Sequence, residues 1–118
     1  MKYDWMDDYI LEKKGVTKDF KLEWNAYRYL VGKKMMGMHC GDKYDKSIIT
    51  LKCDPDFGIL LRETYKDITA GYYMNKVHWN SLYLDGDVPD EILKQMIDNS
   101  YDLIFASLTK KLQKEILG

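Results

Sequence analysis

The sequence predicts an α+β fold. One domain spans residues 1–118, an antiparallel sheet with helices mainly on one face. Three observations carry this expectation. The apolar spacing begins helical, turns strand-like between Leu22 and Cys53, and is helical again after Asp87. Short Gly-containing and polar breaks separate the strand-like runs at hairpin length. Both prolines, Pro55 and Pro89, sit where helices should begin. The expected order is helix, three strands, helix, one or two strands, then C-terminal helices.

The first helix runs from about Tyr3 to Lys13, with Met6, Tyr9, Ile10 and Lys13 at helical spacing. Asp4, Asp7 and Asp8 load its start and Lys13 and Lys14 its end, which suits the helix dipole. Gly15 stops it. Three strands follow, over 22–31, 34–40 and 47–53. Gly32-Lys33 joins the first two, and Gly at the first turn position suits a type II′ hairpin. A two-residue turn pairs Val31 with Lys34, Tyr29 with Met36 and Tyr27 with Met38. A six-residue loop from Gly41 to Lys46 then pairs Cys40 with Ser47, Met38 with Ile49 and Met36 with Leu51.

In that register one face holds Tyr27, Tyr29, Val31, Met36, Met38, Cys40, Ile49, Leu51 and Cys53, and is read as the core face. The other, with Arg28, Leu30, Met35, Gly37, His39, Ile48, Thr50 and Lys52, is mixed, as for a sheet open to solvent on one side.

Asp54 caps the second helix and Pro55 opens it, with Phe57, Leu60, Leu61 and Tyr65 on its apolar side. Residues 68–75 connect to a strand over 78–84, closed by Asp85-Gly86. After Asp87 as N-cap, Ile92, Leu93, Met96, Ile97, Tyr101, Ile104, Phe105, Leu108, Leu112 and Ile116 keep helical spacing. Asp98-Asn99-Ser100 favour caps, so one bent helix or two consecutive helices are expected.

Composition bounds the function. The 118 residues are 46% hydrophobic and 31% charged, a globular balance. The net charge of −1 argues against strong nonspecific polyanion binding. Residues 1–53 carry 11 basic and 8 acidic side chains and residues 54–118 carry 7 and 11, which leaves room for one basic face. The N-terminus is acidic and lacks the apolar core of a secretory leader, and no apolar run approaches a membrane span. A cytoplasmic location with reduced thiols and no membrane partner is expected. The register places Cys40 and Cys53 ~20 Å apart as buried small hydrophobes, beyond disulfide reach.

No catalytic constellation emerges. His39, Cys40, Cys53 and His78 show no metal-ligand spacing, and neighbours on a strand point to opposite faces. Ser81 and Ser100 lack a nucleophile elbow, and Val31–Lys34 is no phosphate loop. No catalytic residue, metal or cofactor site is expected, and no enzymatic activity. Two features remain open between a structural and a functional reading. One is the stretch Tyr72-Tyr73-Met74-Asn75-Lys76-Val77-His78-Trp79-Asn80, where Trp79 could be core and Asn75 a turn cap, or Lys76 could meet phosphate. The other is the basic set Arg28, Lys33, Lys34, Lys43, Lys46 and Lys52, which serves either edge solvation or backbone contact.

The first of these stretches resembles the Y-H-x-N-K-x-H-W element of the MmcQ/YjbR family of small bacterial proteins. Leu84-Asp85-Gly86, Val88–Glu91, Ser100–Leu103, Gly32–Met35 and Leu51–Pro55 are similar to further elements of that family, over about Tyr27 to Leu112. Tyr73 stands where the family often has His, and Met36 where it often has Phe. The resemblance implies a compact α+β domain, and its members carry a DNA-binding label on a double-wing analogy.

The leading expectation is a DNA-binding or regulatory module without enzymatic activity. Its phosphate contacts come from Lys33, Lys34, Lys43, Lys46 and Lys76, with Arg28, Asn75, His78 and Trp79 nearby. They converge on one open patch and bind weakly, with steep salt dependence. One alternative is a protein-interaction module on the sheet face of Leu30, Met35 and Ile48 beside Arg28 and Lys52. A second is a small-ligand site or enzyme at Tyr73–His78, which predicts a concave pocket there.

Overall fold

The computed structural model describes residues 2–118. In chain order it holds α1 (Met6–Leu11), β1 (Val16–Lys21), a 3-10 turn (Leu22–Trp24), β2 (Ala26–Val31), β3 (Lys34–Gly41), β4 (Ser47–Lys52) and α2 (Pro55–Thr64). There follow β5 (Ile68–Ala70), β6 (Trp79–Tyr83), α3 (Asp90–Ser107) and α4 (Lys110–Leu117). The strands form one antiparallel sheet in the order β1-β2-β3-β4-β6-β5. The fold is α+β, as the alternation of periods predicts.

The first strands differ from expectation. Only Ala26–Val31 of the expected first strand is extended, because Leu22–Trp24 coils into a 3-10 turn closed by Asn25 in the left-handed region, φ +49°. The preceding VTKDFK segment supplies an additional strand, β1. It is an edge strand and largely solvated, so it lacks the apolar run that marks buried strands. At the β2–β3 turn both Gly32 (φ +54°) and Lys33 (φ +72°) are left-handed, which makes it a type I′ turn and not II′.

Register begins as expected, with Val31 opposite Lys34 and Leu30 opposite Met35. A β-bulge then intervenes at Met36, so Tyr29 faces Gly37 and Tyr27 faces His39. The next loop is five residues long, and Gly41 pairs with Ser47 and Cys40 with Ile48. The two one-residue shifts cancel in β4, whose Ile49 and Leu51 face the core as read. They do not cancel in the far half of β3. Met38 and Cys40 therefore lie on the open face with Arg28, Thr50 and Ile48, while Gly37 and His39 turn to the helix side.

The core lies between the sheet and the helices. Tyr29, Val31, Met36, Ile49, Leu51, Cys53 and Leu82 meet Tyr3, Met6 and Ile10 from the N-terminal segment and Leu93, Met96 and Ile97 of α3. Each fully buried side chain of Leu or Met size contributes roughly 1.5–3 kcal/mol. Tyr27, expected in this core, is 45% exposed and stands with Phe20 and His39 beyond the helix-covered region.

α3 runs unbroken through Asp98-Asn99-Ser100. These side chains find tertiary partners instead of competing for their own backbone. Tyr9 Oη donates to Asp98 (2.8 Å), the Asp54 amide donates to Asn99 Oδ1 (2.9 Å), and Ser100 Oγ donates to the Met36 carbonyl (2.6 Å). Ser100 Oγ also accepts from the Lys52 amide (3.1 Å). The break comes later, where Thr109 caps α4 by accepting from the Leu112 amide.

Ser100 is fully buried, so its removal strands one carbonyl and one amide away from water. Ser100→Ala is expected to lower stability by about 1–3 kcal/mol, measured as a shift in the urea midpoint. An unchanged midpoint would show that the bulge does not need this hydroxyl.

Candidate functional site

The helices pack against the core on the face of Tyr29 and Leu51, and among the described residues the opposite face is covered by loop. That cover is the 71–78 segment. Gly71 starts it by donating its amide to the Trp79 carbonyl (2.6 Å), and a Cβ at Gly71 would lie 2.9 Å from that same oxygen. The Tyr72 amide donates to Ser81 Oγ, and Tyr73 Oη donates to the Gly41 carbonyl (3.0 Å). Asn75 Oδ1 accepts from the amides of Val77 and His78. Of its two readings, Asn75 is the turn cap. His78 is exposed and lies outside the strand, which begins at Trp79.

Between this segment and the 3-10 turn lies a cleft of about 410 Å³ lined by Trp24, Met38, Cys40, Tyr73 and Met74. The bulge puts Met38 and Cys40 there, so Cys40 is a half-buried cleft wall and not a core residue. Burial, with Asp42 nearby, pushes its thiol pKa up. Burial and the neighbouring Cys40, Tyr72 and Asp42 likewise raise Tyr73. Cys53 lies on the helix side, and burial pushes its thiol up to about 11.

The β3–β4 loop on which the 71–78 segment leans is tied by Asp42. Its Oδ1 accepts from the amides of Tyr44 (2.8 Å) and Lys46 (2.9 Å), and Oδ2 accepts from Tyr83 Oη (2.9 Å). Burial pushes this carboxyl up, and the three hydrogen bonds outweigh it, leaving the pKa below its ordinary 3.8.

The expected convergence of basic side chains does not occur. Lys33 and Lys34 sit at one end of β3, Lys43 and Lys46 at the other, roughly 25 Å away along eight residues. The reason is topological, because successive turns of an antiparallel meander fall at opposite ends of the sheet. Arg28 forks onto Asp19 (2.8 and 2.5 Å) and is neutralised. Lys43 Nζ lies over the Tyr44 ring, and Lys76 Nζ donates to the Gly71 carbonyl. Trp79 is half-buried and pairs with Lys52 in the sheet. The apolar face of Leu30, Met35 and Ile48 is also not open, since Ile48 is fully buried and the other two half-buried.

A different basic cluster forms at the β2–β3 end. The Gly15 loop packs against Ile116 of α4, the Gly32 turn against Leu108 and Leu112, and Lys34 Nζ donates to the Ser107 carbonyl and hydroxyl. Lys14, Lys33, Lys34, Lys110, Lys111 and Lys114 lie on these adjoining elements, all exposed, and none forms an ion pair among the described residues. Four of them, Lys14, Lys110, Lys111 and Lys114, lie outside the expected phosphate contacts. The available signal was a Lys-Lys pair at each of 13–14, 33–34 and 110–111. Among the described residues, no three His, Cys, Asp or Glu side chains converge, and no helix is long and apolar enough to cross a membrane.

The arrangement is that of a small α+β protein with an antiparallel sheet helix-covered on one face. The chain belongs to the YjbR family, whose model matches residues 11–103. It is 29% identical to the YjbR protein of Escherichia coli (strain K12) over 93 residues, 79% of this chain and 78% of that one. It is 28% identical over 108 residues to the Bacillus subtilis (strain 168) protein YyaQ, with 80% of this chain and 91% of that one covered. Its structure is similar to the crystal structure of a Deinococcus radiodurans protein with the family-model domain DUF419. The TM-score is 0.83 at 29% identity, over 94% of this chain and 84% of that chain. The resemblance read from Tyr72–Trp79 and its companion elements therefore holds.

Two outcomes are expected. An aromatic disulfide reagent should modify Cys40 alone in the folded protein and Cys53 only on unfolding, as counted by released thiolate. The second concerns acid. Asp42 titrates lower in the folded than in the unfolded chain, so the stability it contributes is complete above about pH 4 and lost as pH falls through the folded value. Asp42→Asn should flatten the loss of stability between about pH 5 and about pH 2, followed by urea titration at each pH.

Proposed function

We propose that this protein is a non-catalytic DNA-binding or regulatory module that holds a phosphate backbone at its basic end. The carrying observation is the cluster of six exposed lysines from the Gly15 loop, the β2–β3 turn and α4. Glu115 is the one carboxylate within α4. Lys110 and Lys111 occupy the first turn of that helix, where the dipole disfavours cations by about 0.3–1 kcal/mol each. A bound anion would relieve that cost. The small net charge of −1 then reflects segregation, with positive charge concentrated at one end.

About four phosphate contacts correspond to a log–log salt slope of roughly −3.6 on duplex DNA. A fourfold rise in salt should therefore weaken binding about 100-fold. The test is fluorescence anisotropy of a labelled duplex at two salt concentrations with two triple variants of equal charge change. Lys33→Glu/Lys111→Glu/Lys114→Glu should abolish the low-salt signal, and Lys43→Glu/Lys46→Glu/Lys76→Glu should leave most of it. No wild-type binding at low salt, or equal losses in both variants, would refute the assignment.

A further inference from the structure

We infer that the open-face cleft is a second binding site, for a small, neutral, planar aromatic molecule. It stands independently of the basic end. The volume, about 410 Å³, falls in the range of small-molecule pockets, roughly 300–1,000 Å³. Its lining has the composition such pockets need. Trp24 and Tyr73 supply ring surface, and Met38 and Met74 supply polarizable thioethers that pack well on aromatic rings.

Both ring walls are held before any ligand arrives. Trp24 ends a 3-10 turn locked by the left-handed Asn25, and its indole carries the Lys21 ammonium at 5.4 Å and the Arg28 guanidinium at 5.8 Å. Tyr73 is anchored by its hydroxyl to Gly41 and by its ring, edge-to-face, to Tyr72 at 4.6 Å. Such preorganisation removes part of the ordering cost of binding. Yet Trp24 stays 51% exposed and Tyr73 56%, so two large apolar surfaces face solvent at the mouth.

The ligand's charge follows from the lining. Among the described residues, no Lys, Arg, Asp or Glu side chain forms the walls. The two ionisable groups there, Cys40 and Tyr73, are both shifted towards their neutral forms. The nearest cations, Lys21 and Arg28, are already paired with Glu23 and Asp19, so an ionised ligand would lose hydration for little new counter-charge. The polar contacts on offer are the Cys40 thiol and the Tyr73 hydroxyl, which suit one neutral polar substituent on the ring.

The experiment titrates the full chain with N-phenyl-naphthylamine, a neutral fluorescent aromatic, and in parallel with its anionic relative anilinonaphthalene sulfonate. Expected are saturable binding of the neutral probe, at least about tenfold weaker binding of the anion, and loss of binding in Trp24→Ala. Cys40→Phe, which fills the cleft, should act likewise. Circular dichroism and the urea midpoint check that both variants fold. If Cys40→Phe does not fold, protection of wild-type Cys40 from the disulfide reagent by the neutral probe replaces it. That protection should saturate with the fluorescence signal. Absence of saturable binding, equal affinity for the anion, binding indifferent to Trp24→Ala, or a Cys40 reactivity unchanged by probe would each overturn the inference.

Discussion

One buried hydroxyl ties the sheet to its longest helix at the point where the register changes. Ser100 of α3 reaches the Met36 carbonyl and the Lys52 amide, bridging β3 and the end of β4 at the place where β3 bulges. A bulge leaves backbone groups out of the ladder, and buried backbone groups must find partners. Ser100 provides them from a helix that crosses the same strands. The consequence reaches well beyond the bulge. Every side chain after Met36 in β3 changes face, which delivers Met38 and Cys40 to the open side and leaves room only for Gly37 between Tyr29 and Leu51, where a Cβ would lie 3.0 Å from Leu51.

The two faces of the sheet then diverge in character. The helix side is closed and apolar, with α3 contributing Leu93, Met96, Ile97 and Ile104. The open side carries a buried polar pair, Thr50 and Ser81, whose hydroxyls meet at 2.7 Å under the 71–78 segment. That segment is short and held largely by hydrogen bonds between tyrosine or asparagine side chains and the backbone. It therefore shapes a cleft where a helix would have sealed the surface. Charge is segregated along the orthogonal direction. α4 packs on the β2–β3 turn through Leu112 and on the Gly15 loop through Ile116, so its lysines lie on the same end of the molecule as those of the turn.

Both sheet edges are protected. β5 has three residues, too few to template another strand. β1 is longer but carries Lys18, Asp19 and Lys21. Charged side chains on an exposed edge disfavour addition of a further strand. The Arg28–Asp19 fork further holds the open-face side of this edge in place.

By itself, the amino-acid order determined element type wherever burial imposes a period. β2, β4 and β6, α2 and the long α3 are written in apolar spacing, and Asp54-Pro55 marks a helix start. The family elements from Tyr72 to Trp79 were equally legible, because they are local strings. What only the tertiary structure decided was register and assembly. The bulge at Met36 has no local signature, because the partner of its carbonyl is a hydroxyl 64 residues away, and a one-residue slip exchanges the faces of a strand. β1 is polar because its edge faces water, so it carried little apolar signal. Which lysines share a surface depends on which ends of the strands the turns occupy, and that is a property of the folded meander, absent from residue spacing.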